Sequence, residues 1–357
     1  MMEINEKPRW RLIKTDNPPF WVKPLIPVLA LIGTFILTSG LILLADANPF
    51  DAYYYFLFAP LESRVSLLEI LVKATPLIIC GVAVTYAFAT GYYNIGAEGQ
   101  LYAGAMAATG LGMALVGVPP IIAIPVMIAG GFLAGMAWAL IPALLKVKLA
   151  VDEVVTTLLM NSIMAYIVSA VLNGPWRDPN SGWPQSPDIS PTAVFFKLVP
   201  RSRLNFGFVV AVVLIIILWI VMTRTSFGLK MRAVGLGKPA ARFAGINVNK
   251  TILTAALISG GIAGIAGVAE VAGIHFHLIG ELSPGYGYTG VIIATLGSLN
   301  AFGVGLAALF FGLVDTGAQT LSRALGVPVY LGEVTQAIML LVALGMLLLQ
   351  RYRIRRM

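Results

Sequence analysis

The sequence predicts an all-α polytopic membrane protein with about ten transmembrane segments. Of its 357 residues, 58% are hydrophobic and only 11% are charged, and the mean hydropathy is +0.88. A soluble domain carries about 25% charged residues, so this chain has too little polar sequence to cover a water-exposed surface. Because a membrane-spanning helix needs about 20 apolar residues, the hydrophobic content allows roughly ten spans.

Apolar runs, separated by glycine, proline and charged residues, predict where these segments lie. Some of them are broken or half-length, and the eighth is too short to cross a bilayer alone. The predicted segments are 25–45, 68–90, 95–116, 119–145, 153–173, 206–223, 251–273, 288–299, 303–322 and 332–350.

The positive charges predict that both chain ends are cytoplasmic. With that orientation, 17 of the 24 Lys and Arg residues lie inside and six lie outside, as the positive-inside rule requires. The predicted organisation is a basic tail (1–24), a transmembrane domain (25–350) and a second basic tail (351–357). The domain includes an external loop (174–205) and a basic cytoplasmic loop (224–250). The net charge of +8 therefore reflects orientation, and nucleic acid is not an expected partner.

Neither a metal site nor a catalytic centre is expected. Cys80 is the single cysteine, and His275 and His277 have no cysteine partners, whereas zinc sites need three or four ligands. Residues 285–290 have dinucleotide-binding spacing but lack a βαβ unit, and residues 232–239 fail the P-loop pattern because proline replaces the hydroxyl. The chain is therefore not expected to be an enzyme, to hold a cofactor or to hydrolyse ATP.

The strongest motif is the polar, glycine-rich stretch 91–100, Gly-Tyr-Tyr-Asn-Ile-Gly-Ala-Glu-Gly-Gln. Polar groups at membrane depth are costly and tend to be functional, and glycines allow a helix to break beside a cavity. Asn94, Glu98 and Gln100 are therefore candidates for a substrate pathway. The alternative is a simple connector in which Glu98 caps the following helix. Residues 285–288 repeat the Gly-Tyr pattern weakly.

Aromatic and acidic residues supply further pathway candidates. Tyr92, Tyr93 and Tyr286 could stack on a base or a sugar face, although an interfacial aromatic belt is the alternative. Asp315 and Glu270 lie within apolar segments and are pathway candidates, with a buried structural hydrogen bond as an equal alternative.

Several other residues are expected to be structural. Glu69 and Lys73 are four apart and can pair on one helix face. Gly260, Gly264 and Gly267 form a small-residue stripe that predicts close helix packing.

The start of the fifth segment carries the second motif. Asp152 and Glu153 suit the positive end of a helix dipole. Thr156, Thr157 and Asn161 are predicted to bridge neighbouring helices by hydrogen bonds rather than to bind substrate.

The basic cytoplasmic loop carries the third motif, a predicted short helix. Pro239 suits a first helical turn, and Gly245 suits a helix stop. A short helix with basic and small apolar faces is suited to docking in a partner's groove, and the alternative is a basic surface turn. The residues predicted to couple to the partner are Gly235, Lys238, Pro239, Ala240, Ala241, Arg242 and Gly245.

Together these motifs resemble the permease subunit of bacterial ABC importers of the nucleoside, simple-sugar and branched-chain amino acid type. Residues 94–100 are similar to the hallmark of the nucleoside branch. Residues 153–161 are similar to a second hallmark, although Leu-Leu-Met-Asn here replaces a pattern closer to Thr-Leu-Met-Leu-Asn. Residues 235–246 match the coupling loop, residues 259–267 the following span, and residues 285–303 continue the match. The resemblance covers about residues 65–350.

The resemblance implies an importer at the bacterial cytoplasmic membrane. A second permease subunit would complete the pathway, as a heterodimer. Cytoplasmic ATPase subunits would hold ATP and Mg²⁺, and an extracytoplasmic binding lipoprotein would deliver a small-molecule substrate. Nucleosides are the leading substrate class, and simple sugars or branched-chain amino acids are the alternatives. An ion-coupled secondary transporter is the competing class.

Overall fold

The structure is a computed structural model that describes residues 10–14, 22–328 and 352–356 and, within 330–345, residues 330–335, 337, 338, 341, 342 and 345. Much of the predicted tails and of segment 332–350 lies outside these residues. The chain forms two compact units. Residues 1–63 and 313–357 form one unit, and residues 64–312 form the other.

The described residues are largely helical. The π-helical turns are Tyr54–Phe58 and Val271–His275, and Pro191–Ala193 forms a 3₁₀ turn. The helices and strands, in chain order, are β1 (Trp10–Lys14), α1 (Val22–Leu44), α2 (Pro49–Tyr53), α3 (Ala59–Glu62), α4 (Arg64–Phe88), α5 (Ala97–Ala114), α6 (Pro120–Leu149), α7 (Glu153–Asn173), α8 (Phe206–Arg224), α9 (Ser226–Leu236), α10 (Lys238–Phe243), α11 (Val248–Glu270), α12 (Tyr286–Leu296), α13 (Ala301–Leu325) and β2 (Tyr352–Arg356).

Six described helices are long and apolar enough to cross a membrane, namely α4, α6, α7, α8, α11 with its π-helical turn, and α13. A bent pair of helices, Ile32–Leu44 and Pro49–Glu62, makes a seventh if it is one span. Each of the first nine predicted segments falls on one helix. The chain is therefore a polytopic, helical membrane protein. The all-α prediction needs one correction, because β1 and β2 pair as an antiparallel ribbon.

Helix α11 is the centre of the unit formed by residues 64–312. It packs against α4, α5 and α6, and its glycines bring the helix backbones together. A side chain on Gly264 would overlap the backbone of Gly131, and one on Gly260 would overlap Ala139. Gly267 lies equally close to the backbone of α5 at Leu101. The predicted small-residue packing is confirmed, and it holds α5 against α11.

The unit formed by residues 1–63 and 313–357 contains α1, α2, α3 and the second half of α13. The Tyr53 hydroxyl forms hydrogen bonds with Thr38 (3.1 Å) and Ser39 (2.9 Å), which tie α2 to α1. Phe56 is buried, and its backbone lies so close to Gly317 that any side chain at residue 317 would overlap it.

The long loop 174–205 is ordered along the end of α11. The Ser186 amide donates to the Leu278 carbonyl (3.0 Å), and the Phe195 amide donates to the Ala272 carbonyl (2.8 Å). This loop is therefore part of the packed structure of its unit rather than a free linker.

Candidate functional site

The chain breaks between α4 and α5, where the strongest motif lies. Helix α4 ends at Phe88, and α5 does not begin until Ala97. Gly91 has a φ of +70°, a left-handed conformation that favours glycine. We call residues 89–96 the interrupted segment. The Ala89 amide still bonds to the Thr85 carbonyl (3.0 Å) in the helical pattern. The amides of Ile95 and Gly96 lie beyond the break and are satisfied by side chains instead.

Asn94 is the centre of the interrupted segment, and it is fully buried. Its Nδ2 donates to Gln100 Oε1 (2.9 Å) and to Ser259 Oγ on α11 (3.0 Å). Its Oδ1 accepts from the Gly96 amide (2.9 Å) and from Gln100 Nε2 (3.1 Å). Both ends of the Asn94 amide are thus paired within the protein, and Asn94 and Gln100 are brought together as one network.

Two side chains of α7 satisfy the backbone on either side of the break. The Thr157 hydroxyl accepts from the Ile95 amide (3.2 Å). Asn161 donates to the Ile95 carbonyl (2.9 Å) and accepts from the Gly99 amide (2.8 Å). The predicted bridging role is confirmed for Thr157 and Asn161. Thr156 instead bonds to the backbone of its own helix.

The two acids at the start of α7 have local partners. The Asp152 carboxylate accepts from the Val154 amide (2.8 Å) and from the Val155 amide (3.1 Å), so it is the N-cap of the helix. Glu153 forms an ion pair with Lys146 at the end of α6. The structural interpretation of both acids is confirmed.

Glu98 caps a helix, but not its own. Its buried Oε2 accepts from the Gly287 amide (2.7 Å) in the first turn of α12. The Ser283 hydroxyl accepts from the Tyr286 amide (2.9 Å) in the same turn. Gly285 precedes the helix with a φ of +95°. The carboxylate therefore joins the starts of α5 and α12, the two segments that share the Gly-Tyr pattern, and stabilises the positive end of α12.

The predicted pathway tyrosines lie in different environments. Tyr92 is 2% exposed, whereas Tyr93 is 51% exposed, and the Tyr93 ring meets Phe88 edge to face (5.1 Å between centroids). Tyr286 is partly exposed. Asp315 belongs to α13 in the other unit, where it interacts with another group.

Two charged residues of α4 also have partners. Glu69 forms an ion pair with Arg203, and this hydrogen-bonded contact raises the pKa of the Arg203 guanidinium. Lys73 also interacts with another group.

Each histidine lies beside one carboxylate. His275 Nε2 lies 3.6 Å from Glu270 Oε2, and His277 Nδ1 lies 3.0 Å from Asp188 Oδ1. Within the part of the chain that the structure describes, no three potential metal ligands come together.

The cytoplasmic loop contains the predicted short helix, α10. Pro239 lies in its first turn, and Gly245 follows its end with a φ of +78°. The Gly245 amide donates to the Arg242 carbonyl (3.0 Å), and the Ile246 amide donates to the Ala241 carbonyl (3.0 Å). This pair of bonds is a Schellman motif, so the prediction of a short helix with a glycine stop is confirmed.

The end of α9 and helix α10 together present an unusual surface to solvent. Phe243 is 96% exposed and Leu236 is 92% exposed, and the cations Lys238 and Arg242 are also exposed. Ala241 alone among the residues of α10 is buried. Neither Phe243 nor Leu236 was among the coupling residues predicted from the sequence. A large aromatic side chain in a loop otherwise rich in basic and small residues was the available signal.

Three residues that hold the site together were missed. Ser259 binds Asn94 across 165 residues, and Tyr102 accepts from the Ser283 amide across 181 residues. No sequence pattern relates positions so far apart, although a serine within a glycine stripe is a weak signal of a polar contact between helices.

Comparison with known proteins identifies the family. Residues 66–346 match the family described as branched-chain amino acid transport system / permease component. The chain is 34% identical to a glucose ABC transporter permease protein of Haloferax volcanii, over 94% of this chain and 91% of that one. It is 33% identical to a guanosine ABC transporter permease protein of Bacillus subtilis, over 89% and 92%. It is 28% identical to a nucleoside ABC transporter permease protein of Lactococcus lactis, over 90% and 91%. The chain therefore belongs to this family of ABC transporter permease components, which are transport subunits and not enzymes.

Proposed function

We propose that this chain is the transmembrane permease subunit of an ATP-driven importer for nucleosides. The observation that carries the proposal is the exposed surface of α10 in a chain of membrane helices. The Phe243 side chain is 96% exposed and lies near the cations Lys238 and Arg242. Such a surface is typical of a binding site for another protein. In an ABC permease that partner is the ATPase subunit, which binds ATP and Mg²⁺.

The named relatives support nucleosides and favour simple sugars as the second candidate. Permeases named for guanosine and for nucleosides are 33% and 28% identical to this chain. A permease named for glucose is 34% identical. Both substrate classes are neutral and rich in hydroxyl groups, so the same pathway chemistry suits either.

The position of Glu98 argues against amino acids as substrates. The N-terminus of a half-helix is a natural site for a substrate carboxylate. Here the Glu98 carboxylate already occupies the start of α12 through the Gly287 amide. A substrate carboxylate brought to this point would be repelled by Glu98. A neutral substrate meets no such repulsion.

We further propose that the substrate pathway follows the interrupted segment and the start of α12. Tyr93 and Tyr286 are partly exposed and supply aromatic faces for a base or a sugar ring. Asn94, Gln100 and Glu98 hold the pathway wall in place. Tyr92 is buried and is proposed to support this wall from within its unit. Asp315, in the other unit, is kept as a separate pathway candidate.

The complete importer is proposed to contain four kinds of subunit. This chain pairs with a second, different permease subunit and receives substrate from an extracytoplasmic binding lipoprotein. It binds cytoplasmic ATPase subunits through the exposed side chains of α10, and the proposed coupling residues are Gly235, Lys238, Pro239, Ala240, Ala241, Arg242 and Gly245. Ten membrane segments with both chain ends in the cytoplasm, in a bacterial cytoplasmic membrane, agree with the bias of positive charge. The proposed boundaries are the cytoplasmic tails 1–24 and 351–357 and the permease domain 25–350, with loop 174–205 outside and loop 224–250 inside.

The test is reconstitution of this chain with its permease, ATPase and binding-protein partners in liposomes. Uptake of labelled guanosine, glucose and leucine is measured with ATP inside. The proposal expects ATP-dependent uptake of guanosine, competition by other nucleosides and no uptake of leucine. Replacing Arg242 by Glu should abolish ATPase association.

Three outcomes would contradict the proposal. Uptake of glucose without guanosine would select the sugar alternative, and uptake of leucine would overturn the argument from Glu98. Uptake driven by a proton or sodium gradient without the ATPase would place the chain in the class of secondary transporters.

A further inference from the structure

The cytoplasmic loop touches the interrupted segment directly, through a glycine. An alanine Cβ at Gly235 would overlap the carbonyl oxygen of Ala89 and would lie 3.1 Å from the Ala89 carbonyl carbon and 3.6 Å from the Gly91 amide nitrogen. From the other side, a Cβ at Gly91 would lie 3.9 Å from Gly235 Cα. The two backbones are therefore in contact, with no side chain between them.

The residues beside this contact are packed into one apolar cluster. Val234 at the end of α9 and Ala241 in α10 are 1% and 3% exposed. Both belong to the cluster that contains Tyr92 of the interrupted segment and Val248 and Ile252 of α11. Closely packed cores shift as units instead of deforming smoothly. A displacement of the loop must therefore displace the turn at residues 89–92 or break this packing.

The turn leads within two residues to the polar network. Asn94 connects to Gln100 at the start of α5 and to Ser259 of α11, and Glu98 in the same first turn of α5 connects to α12. An unbroken series of contacts thus runs from α10 to the starts of α5 and α12.

Resting on the proposed function, we propose that Gly235 is the positioning residue through which the ATPase-docking loop moves the interrupted segment, and through it the starts of α5 and α12. Because Gly235 has no side chain, the loop backbone can contact the Ala89 carbonyl directly. Gly235 acts through the segment it touches and not by contact with substrate or ATPase.

The experiment compares Gly235→Ala with Gly237→Ala in the reconstituted importer. Gly237 lies two residues away in the same loop, and a Cβ there would meet only the Ala240 side chain at 3.9 Å. We expect Gly235→Ala to retain the ATPase subunit in co-purification but to lower uptake about tenfold, with loss of substrate-stimulated ATP hydrolysis, because overpacked backbones must separate. Gly237→Ala should stay within about twofold of the wild type, as surface substitutions do.

One outcome of this comparison would overturn the inference. Equal uptake and equal stimulation in the two glycine variants would show that the contact transmits nothing. If the wild-type importer itself takes up no substrate, the proposed function fails instead, so the two failures are distinguishable.

A second measurement keeps the inference testable if Gly235→Ala does not assemble. Single cysteines are placed at Tyr93 and at Ser226, both exposed, with Cys80 replaced by Ala, and each carries a spin label in the otherwise wild-type importer. Trapping the ATPase in its closed state should change label mobility at both positions. A response at residue 226 without one at residue 93 would overturn the inference.

Discussion

The interrupted segment and the α9–α10 loop place their polar and apolar groups in opposite ways. In the interrupted segment, the polar side chain of Asn94 is fully buried, and both its NH₂ group and its oxygen form hydrogen bonds. In the loop, Phe243 is 96% exposed to solvent. The first region is complete within the chain, whereas the second presents an apolar surface that nothing within the described residues covers.

This difference separates a structural role from an interaction role. A buried polar group needs its partner for the fold to be stable, because an unpaired group costs free energy at low dielectric. An exposed aromatic ring contributes little to folding and gains its value when a partner buries it. Substitutions in the two regions should therefore affect different measurements.

The largest expected effect is on stability, from Asn161→Ala. This change leaves the Gly99 amide and the Ile95 carbonyl unpaired beside a broken helix, where neither has a helical partner. Each buried unpaired group costs about 1–3 kcal/mol, so thermal unfolding in detergent should begin several degrees lower. Asn173→Ala is the control, because Asn173 is exposed and bonds only to Ser169. Equal melting temperatures for the two variants would contradict the distinction between regions.

Glu98→Ala should have the next largest effect, on stability and uptake together. It removes a charge-assisted hydrogen bond to Gly287, which is worth about 1.5–3 kcal/mol. Glu98→Gln keeps an oxygen that can accept from the same amide, so it should retain most of the stability. The exposed Glu281 supplies the control, with Glu281→Ala. If the Gln and Ala variants of Glu98 were equally unstable, the capping role would be wrong.

Phe243→Ala should leave stability unchanged, within about 0.5 kcal/mol, while weakening ATPase binding. Loss of a central aromatic anchor costs about 2 kcal/mol, or roughly 30-fold in Kd. Purified permease complex and ATPase subunit, titrated by fluorescence, would measure the affinity. Phe243→Leu is the matched control and should retain most of it. If Phe243→Ala lowered the stability of the permease but left its affinity for the ATPase unchanged, the interaction role of Phe243 would be wrong.

The smallest effect is expected from Gly245→Ala. The φ of +78° costs a residue with a side chain about 1–2 kcal/mol, which should loosen the end of α10 and weaken ATPase binding modestly. Faster hydrogen exchange at the Ile246 amide would report this loosening. Gly245→Asn should be milder, since asparagine tolerates this conformation better. Unchanged exchange in the alanine variant would show that the Schellman motif does not hold the helix.

Local features were the ones that sequence analysis predicted well. Pro239 and Gly245 mark the ends of α10 because a proline ring and a left-handed φ act on the backbone at their own positions. Asp152 was predicted at a helix start because a carboxylate suits the positive end of the dipole. The structure adds that it is the N-cap, bonded to amides two and three residues away.

Glu98 shows where such prediction stops. The sequence indicated a carboxylate at a helix start, and two readings remained open. The structure gives a third, because the amide that Glu98 meets lies 189 residues away in the chain. The exposure of Phe243 could not be predicted from the sequence either, because a short helix can bury either of its faces.

The sequence by itself determined that this chain is a helical membrane protein, where its helices lie and where α10 begins and ends. These properties follow from hydrophobicity and from backbone geometry within a few residues. Only the tertiary structure decided that Asn161 closes the break, that Glu98 joins α5 to α12, and that Gly235 lies against Ala89. Each of these contacts joins residues that lie more than 60 positions apart in the chain, so it depends on how the helices pack, and that packing is a property of the whole fold.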